Sequence, residues 1–106
     1  MMTNNVPCSV EFLTLIAGRK YKDALLDALS EAGGKLINIV YGKGGAKLSY
    51  IKDVLGLVPE ENKVVITCLM SGEKSDAVFN MLIEKFHFDK PNTGIAFAIS
   101  IGKLSY

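Results

Sequence analysis

Histidine, arginine and cysteine are nearly absent from this sequence, and each scarcity excludes a class of chemistry. His87 is the one histidine, Arg19 the one arginine, and Cys8 and Cys68 are the only cysteines among 106 residues. The two cysteines stand far apart, with no CxxC pair and no histidine-rich neighbourhood. Neither a zinc site nor a disulfide framework is indicated, and a reducing, cytoplasmic setting is expected. Cys68 lies mid-strand, where a thiol acts as a small apolar residue. His87 follows Phe86 at an expected helix end, with no carboxylate partner and no second ligand at helical spacing, so a structural role is expected and no metal site. No nucleophile stands with a base, and the chain is not expected to be an enzyme.

Charge of one sign is also lacking. Charged residues make up 22% of the chain and nearly cancel at net +1, whereas a general nucleic-acid binder would be more basic, so no nucleic-acid partner is expected. No apolar run reaches the ~20 residues of a membrane helix, so no membrane insertion is expected. The opening MMTNNVPCSV has neither the basic segment nor the apolar stretch of a signal peptide. The expectation is one soluble domain over residues 1–106, of a size that buries roughly two thirds of its unfolded surface.

What is present is a clear alternation of elements. Residues 10–17 (VEFLTLIA) are almost wholly apolar, rich in β-branched and aromatic side chains, and end at Gly18, which predicts a buried strand. Tyr21, Ala24, Leu25, Ala28, Leu29 and Ala32 then form an apolar stripe at helical spacing, stopped by Gly33 and Gly34. Residues 35–41 (KLINIVY) predict a second strand that opens into the glycine-rich GKGGAK. Residues 49–57 (SYIKDVLGL) place Ile51, Val54 and Leu55 at helical spacing over two turns, too few to be stable without docking. Residues 63–70 (KVVITCLM) predict a third strand. Ser71 and Glu73 then open a second long helix by capping and dipole preference, with Val78, Phe79, Leu82, Ile83 and Phe86 as its stripe. DKPNTG breaks that helix, and residues 94–101 (GIAFAISI) alternate as a fourth strand.

The order β-α-β-β-α-β, with a long loop at about 42–62, predicts an α+β ferredoxin-like sandwich: a four-stranded antiparallel sheet with two helices on one face. The other face would be bare, yet Phe12 and Ile16 oppose Leu13 and Leu15, and Val65 and Leu69 oppose Val64, Ile66 and Met70. A monomer would show water an apolar patch of several hundred Å², near the largest usual for soluble monomers, so association through the sheet is expected. The alternative is that the tail at 102–106 or the short helix at 49–57 folds over that face.

Several segments resemble the P-II nitrogen regulatory (signal transduction) family over most of the chain. RKYKDALLDALSEAG is similar to that family's first helix, and INIVYGKGGAK to its second strand running into the base of the regulatory T-loop. KVVITCLMSGEKSDAVFNMLIEKF is similar to its third strand and second helix, and KPNTGIAFAISI to its B-loop entering the fourth strand. The resemblance implies a homotrimer that signals to a target protein and holds an adenine nucleotide as effector in clefts between subunits, with no cofactor required. The sequence departs from the family in two places. It lacks the B-loop lysine after a GDG triplet, having Asn92-Thr93-Gly94 followed by Ile95, and its 42–62 loop is helix-like rather than an extended arm. Tyr50 falls in that loop without the local sequence of the family's modification tyrosine.

The candidate ligand residues follow from both readings. Gly42, Gly44 and Gly45 let backbone N–H groups approach an anion, Lys43 and Lys47 supply charge, and Tyr41 stands before them. The full GxxxxGK[ST] pattern is missing, which excludes a P-loop. Lys90, Thr93 and Gly94, with Asn92, offer donors from the far side of the same cleft. Arg19, Lys20 and Lys22 cluster where a helix starts, a place that disfavours cations unless an anion is near. Three functions compete: a trimeric sensor of a small anionic ligand that signals through the 42–62 loop, a ligand-free oligomeric interaction module, and an acylphosphatase-like enzyme. The last would need a phosphate-cradling loop beside its arginine, and Arg19 has none.

Overall fold

The structure, a computed structural model, describes residues 10–42, 62–90 and 93–103. Strand β1 (Val10–Gly18) runs through a three-residue turn of 3-10 helix (Arg19–Tyr21) into helix α1 (Lys22–Glu31) and strand β2 (Lys35–Gly42). Strand β3 (Lys63–Ser71), helix α2 (Gly72–Phe86) and strand β4 (Gly94–Ser100) follow. The expected helix at 49–57, the Gly-rich stretch beyond Gly42, Cys8 and residues 104–106 lie outside the described residues.

The strands form one antiparallel sheet in the order β2-β3-β1-β4, the ferredoxin-like arrangement that the element order predicts. Side chains alternate between faces. Leu13, Leu15 and Ala17 of β1 and Val64, Ile66, Cys68 and Met70 of β3 point to the face that the helices cover, and all are buried. Helix α1 closes over them with Leu25 and Leu29, and α2 with Val78 and Leu82. Each large apolar side chain buried there contributes about 1.5 to 3 kcal/mol relative to exposure. Ser75 lies on the same buried stripe of α2, and its hydroxyl has no hydrogen-bond partner among the described residues.

The helix ends follow their sequence signals. Ser71 accepts a hydrogen bond from the Lys74 backbone N–H at 3.4 Å, the N-cap that satisfies one orphan donor. Gly33, at φ +89, takes the left-handed position after α1. The buried stripes are narrower than the sequence suggests. Tyr21 sits in the 3-10 turn and is exposed, as are Ala24 and Ile83. Ile83 lies 100° around the helix from Leu82 and is carried off the sheet-facing side, so only the positions pointing straight down are covered.

One irregularity interrupts β2. Lys35 pairs with Leu69 but Asn38 pairs with Thr67, so β2 carries one extra residue, and Leu36 takes a left-handed φ of 52. The Asn38 side-chain amide donates to the Leu36 carbonyl at 3.2 Å and holds the bulge. The bulge restores the alternation of faces, so that Ile37 and Ile39 pack on the core while Leu36 stands exposed at the sheet edge.

Candidate functional site

The pairing register gathers the candidate segments at one end of the sheet. Gly42 pairs with Lys63, Lys63 with Gly18, and Gly94 with Ala17. The base of the 42–62 loop, the start of α1 and the turn before β4 therefore share an end.

Arg19 ties that end together. Its backbone N–H donates to the Asn62 carbonyl at 3.0 Å, and its guanidinium lies 4.7 Å from the centre of the Tyr41 ring, a cation–π contact. One residue thus contacts the chain on both sides of residues 43–61. Lys22 adds to the cluster, with its ammonium 3.1 Å from the Asp23 carboxylate. Hydrogen bonding to Asp23, and next to the Tyr41 side chain, holds the Lys22 pKa above its usual 10.5. Lys20 lies over Tyr21 at 5.2 Å. Gly18, Arg19, Lys20 and Asn62 line a recess of about 250 Å³, in which the charges among the described lining residues are both positive.

The turn before β4 is built differently. His87 takes the left-handed C-cap position of α2 at φ 59, and the Phe88 N–H reaches back to the Leu82 carbonyl at 3.1 Å. The Thr93 hydroxyl lies 2.6 Å from the His87 carbonyl and 2.9 Å from the Lys90 carbonyl, so its one hydrogen is engaged within the turn. Gly94 is buried, and a Cβ there would come within 2.5 Å of the Phe88 ring. Close packing by Phe88 therefore accounts for glycine at 94. Lys90 is exposed, and its backbone N–H donates to His87. Of the described candidates in this turn, Lys90 is the one whose side chain is exposed.

Of the sequence-predicted residues, Tyr41 and Gly42 stand at the β2 edge, and Lys90, Thr93 and Gly94 adjoin the β4 edge. Lys43, Gly44, Gly45, Lys47 and Asn92 lie outside the described residues. Strands β3 and β1 separate the two groups, which puts them about 14 Å apart at the usual strand spacing. Sequence reasoning passed over the Arg19–Tyr41 stack and Asn62. The signal was faint: the sole arginine following the glycine that ends a strand. Among the described residues no group of three or more His, Cys, Asp or Glu could hold a metal ion, and no helix is long and apolar enough to cross a membrane.

This fold, an α+β sandwich of one four-stranded antiparallel sheet and two helices, is shared with PII-like signalling proteins. A protein from Thermus thermophilus described as PII-like and signalling superposes with a TM-score of 0.65, covering 89% of this chain and 88% of its own, at 16% identity. CPII from Thiomonas intermedia, solved with ADP, AMP and acetate, gives 0.66 over 91% of each chain at 19% identity. A functionally unknown protein from Pediococcus pentosaceus gives 0.65 over 93% of this chain and 98% of its own, at 8% identity. No protein-family model and no curated protein matches the sequence. The resemblance drawn from the sequence therefore holds at the level of fold, with little identity beneath it.

Proposed function

We propose that the chain is a PII-like signalling regulator rather than an enzyme. It assembles as a homotrimer, senses a small anionic ligand, an adenine nucleotide, in clefts between subunits, and signals to a target protein through the 42–62 loop. The observation that carries this reading is the division of candidate ligand residues between opposite edges of one sheet at the same end. Such a division is useful only if copies lie side by side. The uncovered apolar face offers the means of assembly, with Phe12, Phe97, Ile99 and Val40 exposed on it. CPII, which has this fold, was solved with ADP and AMP bound. The positive recess at Arg19 supplies charge for a phosphate, and Tyr41 offers an aromatic face.

Calorimetric titration with ATP, ADP and AMP tests the proposal. Binding of one of them, weakened by Lys90→Ala, is the expected result; a charge-assisted contact is worth about 1.5 to 3 kcal/mol, a tenfold to hundredfold rise in Kd. A second reading, the ligand-free assembly module, is favoured by the engaged Thr93 hydroxyl and by the Phe88 ring that fills the space at Gly94. A trimer that binds none of the three nucleotides would select it.

A further inference from the structure

A second cavity shares none of the residues that line the Arg19 recess. Helices α1 and α2 leave a groove of about 510 Å³ between them. Its floor is made of small or flexible apolar side chains: Ala24, Ala28 and Ala32, each one turn after the last, face Ala77 and Met81 of α2. The groove is bounded at both ends. At one end the Tyr21 and Phe86 rings meet edge to face, 6.5 Å between centres. At the other the Lys74 side chain crosses Gly33, where a Cβ would lie 2.8 Å from its Nζ. Its length is that of α1, ten residues or about 15 Å.

The α1 wall of the groove is acidic, with Asp27 and Glu31 on it, and the helical layer as a whole is opposite in sign to the chain. Helices α1 and α2 carry six acidic and three basic side chains, net −3, in a chain of net +1. Asp27 and Glu31 of α1 stand in the groove wall and are exposed; Lys85 is the one cation among its described lining residues, and Lys74 stands at the Gly33 end. Asp23 continues the acidic row one turn earlier, in contact with Lys22.

We propose that this groove docks a basic amphipathic helix of about three turns from a partner protein, laying its apolar face on the alanine floor and lysine or arginine beside Asp27 and Glu31. A helix suits the floor better than a strand, because a strand would press unpaired N–H and C=O groups on apolar side chains with no sheet edge to receive them. A helix satisfies its own backbone, and alanines at i+4 spacing let its ridge settle between α1 and α2. A second copy of this chain is a poor occupant, because its own helical layer repeats the acidic charge. The inference stands apart from the nucleotide reading, since neither the alanine floor nor Asp27 and Glu31 belongs to the Arg19 recess.

The test is fluorescence anisotropy of an approximately 14-residue helical peptide with a leucine and alanine stripe and a lysine polar face, compared with its glutamate-faced twin, on the full chain. The lysine peptide is expected to bind at least about tenfold tighter than the twin. Filling the groove with Ala24→Gln and Ala77→Gln, both exposed helical sites, is expected to cut that affinity about tenfold with the helical circular dichroism retained, and Asp27→Lys with Glu31→Lys to reverse the preference. Equal binding of both peptides, or undiminished binding to the filled groove, overturns the proposal. So does a change in the mass of the protein itself on groove filling, which would make a second copy the occupant. If the filled variant misfolds, amide shifts on the unaltered protein decide: shifts at Ala28, Ala32 and Met81 support the groove, and shifts confined to Phe97 and Ile99 overturn it.

Discussion

The two faces of the sheet are made of the same strands and nearly the same kinds of side chain, yet they end in opposite conditions. On one face Leu13, Val64 and Ile66 are wholly buried; on the other Phe97 keeps 42% of its surface in water and Ile99 57%. The register aligns the residues of the second face in rows across the strands: Ile99 and Phe12, both exposed, stand beside Leu69, while Ile95 and Val65 flank Ile16, which is itself buried. Apolar patterning thus marks a surface for covering, while connectivity decides which surface the chain's own helices cover. Both crossovers bring their helix to the same side of the sheet.

This contrast can be broken most strongly on the covered side. Leu25→Ala removes a wholly buried side chain and is expected to cost about 2 to 5 kcal/mol, read as a lowered midpoint of urea unfolding. Gly94→Ala comes next. A methyl group there meets the Phe88 ring, and overpacking costs about 1 to 3 kcal/mol; Phe88→Leu in the same chain should restore much of the loss. A single surviving midpoint in Gly94→Ala would mean that the ring moves aside freely.

On the uncovered side the expected effect on the single chain is smaller, and the effect on assembly is total. Phe97→Asp with Ile99→Asp should leave the isolated chain within about 1 kcal/mol of its starting stability, while sedimentation equilibrium moves from an assembled mass to that of one chain. A parent protein that is already monomeric at micromolar concentration would remove the assembly from the proposed function. Ser75→Ala sharpens the comparison from within the core. Deleting a buried hydroxyl without a partner should stabilise the protein by about 1 kcal/mol, the lower end of the cost of an unmade hydrogen bond.

The smallest effect is chemical. Burial pushes the Cys68 thiol above its usual 9.0, so folding favours the protonated form. The stability that follows is fully present below the ordinary thiol value and is lost as pH rises through the raised one. In a Cys8→Ser background, Cys68 should react with a disulfide reagent at pH 8 only at the rate at which the protein opens, and at once in urea. Rapid reaction in the folded protein would place the thiol nearer to water than its burial indicates.

Much of the fold was legible because it is local. The glycine pair after α1, the Ser71 cap and the two-residue alternation of GIAFAISI act within a turn or a strand, and sequence reports such forces directly. The candidate site was legible only in part. Lys90 and Tyr41 stand out as residue types at turns, but the engagement of the Thr93 hydroxyl with two carbonyls and the Phe88 ring over Gly94 depend on how the 87–94 turn folds back. Gly94, a candidate ligand residue from sequence, occupies the space that a neighbouring ring requires.

By itself the sequence determined the order of elements, their approximate ends, the apolar character of both sheet faces and the scarcity of catalytic and metal-binding side chains, because each is a property of composition or short-range spacing. Tertiary structure alone decided that Arg19 would span Tyr41 and Asn62, that the alanines of α1 would floor a groove against α2, and that Leu36 would take up the extra residue of β2. These relations join residues distant in sequence or absorb a mismatch between paired strands, and no periodicity within one segment encodes how far the chain must travel before two surfaces meet.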